Sequence, residues 1–225
     1  MALPYYVSPE QMMQDKAEYA KKGILKGRSI IVMEYQDGIL LLADNPSSLN
    51  KISEIYDRIA FAGAGKYSEF ESLRKAGIRH ADMKGYLYSR DDVEARSLAN
   101  AYSQSLGTIF SQEAKPFEVE ILVVELGKGN DGSEIYRISF DGSIFDEKGF
   151  SVVGGKADAL FTHLKGCYAC LPLKEEIQLA INALETVYNQ KVNIESLEVA
   201  VLDKTRTHRT FRRIPPKELS SFLAV

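Results

Sequence analysis

Residues 29–43 read Ser-Ile-Ile-Val-Met-Glu-Tyr-Gln-Asp-Gly-Ile-Leu-Leu-Leu-Ala. Two apolar runs, 29–35 and 39–43, flank Gln36-Asp37-Gly38, and an Asp-Gly pair between apolar runs is the strongest short-range signal for a β-hairpin. Neither run alternates between apolar and polar positions. A strand that is apolar on both faces is covered on both, so the hairpin belongs to a buried sheet with helices on one side. A second strand pair, 52–56 and 59–63, follows at once.

Upstream of the hairpin, Ser8-Pro9-Glu10-Gln11 marks a helix start, with Ser8 as N-cap, Pro9 at the first helical position and Gln11 closing a capping box. Lys21 and Lys22 suit the negative end of the helix dipole and Gly23 can take the left-handed conformation that ends a helix, so the spacing predicts a helix over 9–22. Downstream, helical patterns occupy 68–83 and 91–110, the second opened by Ser89 with Asp92 three residues on. Strands return at 117–126, 134–140 and 150–153, separated by a glycine-rich turn at 127–132 and an Asp141-Gly142 turn. Helical patterns at 158–169 and 174–189, strands at 196–202 and 210–213, and a short helix from Pro215 complete the chain. Hairpins make the sheets antiparallel, and helices arriving in pairs can cover a sheet as a layer. The expectation is an α/β (α+β) fold, a four-layer αββα sandwich of two stacked antiparallel sheets, with residues 1–225 forming one domain.

Composition excludes several classes of function. The 28 basic and 31 acidic residues give a formal charge of −3 without a long single-sign block, so no nucleic-acid arm is expected. No apolar segment approaches the ~20 residues that span a bilayer, and the N-terminus lacks the pattern of a signal peptide, so a cytoplasmic protein is expected. Cys167 and Cys170 form a C-x-x-C, but no second pair accompanies them and they fall in a helical pattern, which favours structural thiols over redox chemistry. His80, His163 and His208 are scattered, and no metal or cofactor is expected. Gly63-Ala64-Gly65 lacks the remaining residues of a dinucleotide or P-loop motif and reads as close backbone packing, while Asp91 and Asp92, as neighbours on a helix, face different directions.

Four longer segments carry more information. Tyr6-Val7-Ser8-Pro9-Glu10-Gln11, the stretch from Lys51 to Arg58 (KISEIYDR), Gly107-Thr108-Ile109-Phe110 followed by 114–120 (AKPFEVE), and 136–143 (YRISFDGS) resemble, in order and over almost the whole chain, the proteasome α subunits of actinobacteria. That family has the αββα sandwich. The resemblance implies a non-catalytic α subunit that forms the outer heptameric ring, templates the β ring, restricts entry to the proteolytic chamber and docks activators. Those activators would be a regulatory ATPase ring, acting on proteins tagged with a small ubiquitin-like modifier, and an ATP-independent ring, both reaching the α ring through their C-termini.

The same family contains β subunits, which are peptidases, and the alternative reading is a self-processing hydrolase of that kind. A β subunit needs an N-terminal threonine whose hydroxyl attacks and whose own α-amine is the base. By register of the first hairpin, Gly27-Arg28 stands at the β cleavage junction, and a guanidinium cannot attack a carbonyl. Gly107-Thr108 lies within a predicted helix, where cleavage would discard half the core. No catalytic residue is therefore expected. From the residues alone Lys51 is a solvated strand-edge lysine; the resemblance places it in a pocket between neighbouring subunits, where its ammonium would meet the terminal carboxylate of an activator. Gly65 and Gly27 match glycines of the same pocket, although each by itself reads as a turn glycine. Met1, Ala2, Leu3, Pro4, Tyr5, Tyr6 and Val7 match the segment that closes the entry pore, and Pro9 and Tyr19 resemble gate-supporting positions.

Overall fold

The computed structural model describes residues 8–128 and 132–223. In chain order they form α1 (Pro9–Leu25), β1 (Ile30–Tyr35), β2 (Gly38–Asp44), β3 (Ile52–Tyr56), β4 (Ile59–Gly65), α2 (Tyr67–Leu87), α3 (Ala95–Gln112), β5 (Val119–Glu125), β6 (Glu134–Ile138), β7 (Ile144–Glu147), β8 (Phe150–Val153), α4 (Ala157–Cys167), α5 (Leu173–Tyr188), β9 (Leu197–Asp203), β10 (Phe211–Ile214) and α6 (Pro216–Leu223). The strands make two antiparallel sheets, ordered β10-β9-β2-β1-β8 and β3-β4-β5-β6-β7.

Side chains alternate across a strand, and β1 shows what that does to a run apolar throughout. Ile30 and Val32 point between the sheets, where they meet Ala60, Ala62, Leu122 and Val124 of the second sheet. Ile31 and Met33 point outward onto Leu160, Ile177 and Leu184 of α4 and α5. The second sheet repeats the arrangement, with Phe61, Ile121 and Val123 turned outward onto Phe70, Leu98 and Tyr102 of α2 and α3. Three apolar layers thus alternate with the sheets, and the expected αββα order is present. Alanines at 43, 60, 62, 64 and 200 line the space between the sheets, and such small side chains allow the sheets a close approach.

Several local expectations are corrected. The first hairpin pairs Ile30↔Ala43 through Tyr35↔Gly38, so its turn is Gln36-Asp37, and neither residue has positive φ. Gly38 instead opens β2, where a Cβ would strike the carbonyl oxygen of Leu202 on β9. The N-terminal helix runs to Leu25, beyond the expected end at 22, with Gly23 inside it; there a Cβ would collide with the Glu118 side chain, so this glycine serves packing and not termination. Ser8 caps α1 by accepting from the Gln11 N–H at 3.2 Å, but the Gln11 side chain bonds Asp15 and leaves the box half made. Ser89 caps only a 3₁₀ turn, Arg90–Asp92; the helix proper begins at Ala95. β7 is an additional edge strand, paired with β6. Cys167 and Cys170 are exposed and unbridged. Partial burial and the nearby Glu176 and Glu34 push the Cys170 thiol up, away from the thiolate a redox pair needs.

In the first turn of α5, Glu176 is fully buried; its Oε2 accepts from the Leu171 N–H at 3.1 Å while Oε1 has no partner. Burial outweighs that single bond and pushes its carboxyl up to about 7. The folded value lies above the unfolded value of 4.5, so between the two the folded chain binds more protons, and stability falls as pH rises through that window. Glu176→Gln is therefore expected to be more stable than the parent by about 1–2 kcal/mol near pH 8, with the gain shrinking toward about pH 5. Urea denaturation at the two pH values measures this.

Candidate functional site

The loop after α1, the ends of β2 and β4 and the start of β3 converge at one end of the sandwich. There Gly27 and Gly65 lie against each other: a Cβ on Gly27 would sit 3.0 Å from the Gly65 nitrogen. Gly65 has φ +103°, and a Cβ on it would strike the carbonyl oxygen of Glu118. Gly63 is excluded from bearing a side chain by the Phe70 ring, so this glycine run does serve close packing.

Lys51 enters from the residue before β3. Its Nζ donates to the backbone oxygen of Arg28 at 3.3 Å, and its N–H donates to Glu198 Oε2 at 2.8 Å. Glu198 also accepts from the Ile52 N–H at 3.1 Å and from Arg213 at 2.7 Å. Arg28 pairs with Asp44 at 2.9 Å. Burial holds the Lys51 ammonium below the usual lysine range and Arg28 adds to this, while Asp44 and Glu198 oppose it. The structure therefore brings Lys51, Gly65 and Gly27 together and adds Asp44, Arg28 and Glu198. An acid closing the otherwise apolar run of β2 was the signal in the sequence for Asp44.

A nucleophile is what this cluster lacks. The Arg28 nitrogen is locked in a peptide bond to Gly27, and Ser29, the next residue, is fully buried with its hydroxyl bonded to Tyr188 at 2.7 Å and to the Gly155 carbonyl. Thr108 lies on α3 with its hydroxyl donating to Gln104 at 2.8 Å. Among the described residues no group of three His, Cys, Asp or Glu side chains is placed to hold a metal ion, and no helix is long and apolar enough to cross a membrane.

The gate-related positions behave differently. Met1 to Val7 lie outside the described residues. Pro9 is the first residue of α1 and Tyr19 stands ten residues on, about 15 Å along the helix at the usual rise. They are not neighbours within one chain. Tyr19 donates to Glu118 at 3.2 Å beside Lys115, whose ammonium holds the Glu118 carboxyl below its ordinary range. The C-terminal half of α1 is anchored: Ala20 and Ile24 pack on Phe110 and Phe140, and the Lys16 ammonium covers the Phe110 and Glu113 carbonyls at 3.1 and 2.7 Å. Its N-terminal half stands uncovered, with Met12 and Met13 exposed.

The described chain is thus a two-sheet sandwich with Lys51, Gly27 and Gly65 clustered at one end and an amphipathic N-terminal helix only half covered, the outline of a domain that packs against others. The proteasome subunit family model matches residues 24–202. Chains called proteasome subunit alpha are similar over their lengths: that of Thermomonospora curvata is 52% identical, covering 100% of this chain and 99% of the relative. That of Streptosporangium roseum is 54% identical over 100% and 88%, and that of Acidimicrobium ferrooxidans 51% identical over 99% and 97%. The chain belongs to the proteasome subunit family. Within it, the chain is an α-type subunit, the non-catalytic component of a complex that degrades proteins, and the family assembles into rings with β subunits.

Proposed function

We propose that this chain forms the outer heptameric α ring of a cytoplasmic proteasome core particle, templates its β ring, gates substrate entry and docks activators. In one continuous domain, residues 1–8 act as the pore segment, α1 as the ring-contact helix and 28–225 as the sandwich body. Pro9 and Tyr19 support the gate, and since they lie far apart on α1 they do so across subunit boundaries. The observation that carries the reading is the uncovered N-terminal half of α1, where Met12 and Met13 are 49% and 40% exposed, a cost in a free domain that a neighbouring subunit removes. A second uncovered apolar stretch, Met83, Tyr86, Leu87 and Tyr88 at the end of α2, suits a contact with the β ring. The C-terminus of a regulatory ATPase ring or of an ATP-independent activator ends at Lys51, its carboxylate on the ammonium and its backbone against Gly27 and Gly65.

Co-expression with the β subunit of the same genome tests this. A barrel-sized native mass is expected, with peptidase activity that rises on deletion of residues 1–7. A chain that stays monomeric beside β, or that loses an N-terminal propeptide to expose a nucleophile, would overturn the reading.

A further inference from the structure

At the opposite end of the sandwich, about 20 Å from Gly65 along β4 at the usual strand rise, a cavity of about 490 Å³ opens. It is lined by the β3–β4 turn, the turn before α3, the end of β5 and the β9–β10 loop. Its cationic residues are Arg58, Arg90, Lys128, Lys204 and Arg206, against Asp57 and Asp91, and His208 lines the same wall. In a chain of formal charge −3 this concentration of one sign is local, and a concave wall intensifies its field.

The pairing within the cavity is uneven. Arg90 grips Asp57 with both arms at 3.0 and 2.5 Å, and Lys128 reaches the Asp91 backbone oxygen at 2.7 Å. Arg58 forms the floor, fixed on Glu125 at 2.7 Å and on the Leu126 carbonyl at 2.9 Å. The β9–β10 loop is different: Arg206 spends one nitrogen on the Phe211 carbonyl at 3.0 Å, and the side chains of Lys204 and His208 have no hydrogen bond or ion pair among the described residues. The loop is nonetheless held in place. Asp203 accepts from the Thr205 N–H at 2.8 Å, Lys204 N–H donates to Asp37 at 2.8 Å, and Thr210 donates through both N–H and hydroxyl to the Asp57 carbonyl at 3.0 and 2.9 Å. The two cations on this fixed loop, Lys204 and Arg206, repel each other, the His208 ring adds a hydrogen-bonding nitrogen beside them, and a preorganised set of this kind binds an anion without first having to order itself.

We propose that this cavity binds a multiply charged phosphate anion, either a short inorganic polyphosphate or the phosphate chain of a nucleotide. One carboxylate offers a single charge to the uncompensated Lys204 and Arg206, whereas a di- or triphosphate places several in the same small volume and suits the arginine fork. The Tyr56 ring is covered on one face by the Arg90 guanidinium at 5.4 Å and packs against the apolar core of the second sheet, which leaves little aromatic surface for a base and favours the inorganic form.

Calorimetric titration of the full-length chain with sodium tripolyphosphate, at fixed ionic strength, tests the site. Saturable binding of one anion per chain is expected, weakened at least about 10-fold in Lys204→Ala/His208→Ala, a pair of substitutions on an exposed loop. A parallel titration with ATP separates the sources: equal affinity means that the phosphate chain alone is read, and tighter binding identifies a nucleotide. Binding that does not saturate, that is unchanged in the double variant, or that oligoglutamate matches at equal charge would overturn the proposal.

Discussion

Replacing Glu125 by leucine is expected to lower the stability of the folded chain by about 3–4 kcal/mol, more than any surface substitution. The carboxylate is nearly buried and serves two elements far apart in sequence. Oε2 accepts from the Ala95 N–H at 2.7 Å, which caps α3, and Oε1 holds the Arg58 guanidinium at 2.7 Å. Leucine leaves a buried N–H unmatched, at about 1–3 kcal/mol, and strips a half-buried guanidinium of its counter-charge. Burial pushes the Glu125 carboxyl up in spite of Arg58 and the Ala95 N–H, so the charge itself is costly and what the leucine variant loses is the matching of its partners. Arg58→Met combined with Glu125→Leu should therefore recover part of the loss, because no charge is then left alone. Urea denaturation of the two single variants and the double gives the coupling directly; strict additivity would show that the two groups act independently.

Glu125 also explains where sequence reading stopped. Apolar patterning is a local property, so the strands of both sheets and most helices were legible, and apolarity on both faces of residues 30–43 implied the layer order. The start of α3 was not, because its cap comes from a residue thirty positions downstream while Ser89 offers a plausible local one. Gly23 was misread for the same reason: a glycine near two lysines looks like a helix end until Glu118 is seen across it. β7 carries Phe145-Asp146-Glu147 on an edge, where one face meets solvent and little apolar signal survives. At the candidate site, Lys51 and the two glycines rested on the family resemblance, since each has an ordinary local reading. Asp44 was signalled only by an acid at the end of an apolar run, and Glu198 escaped notice because its significance is spatial.

Lys51→Met in the assembled particle is expected to abolish stimulation by activators that dock through a C-terminal carboxylate, weakening their binding about 10- to 100-fold, the worth of one charge-assisted hydrogen bond out of water. The same substitution should leave the fold as stable as before, or slightly more so. Burial holds the ammonium below the usual lysine range despite Asp44 and Glu198, so the charge costs the isolated subunit stability at neutral pH, and methionine keeps the apolar stem without it. A residue kept only for structure would show the reverse pattern, a loss of stability with no separate effect on docking. Activator titration beside urea denaturation of the same variant therefore distinguishes the two roles. Lys51→Glu should weaken docking further, since it sets a carboxylate against a carboxylate, and Lys51→Arg should restore it only in part, because the wider guanidinium must fit where Gly27 and Gly65 already leave room for little more than backbone. If methionine leaves activator binding untouched while destabilising the ring, the lysine belongs to the Arg28–Asp44–Glu198 network and the docking site lies elsewhere.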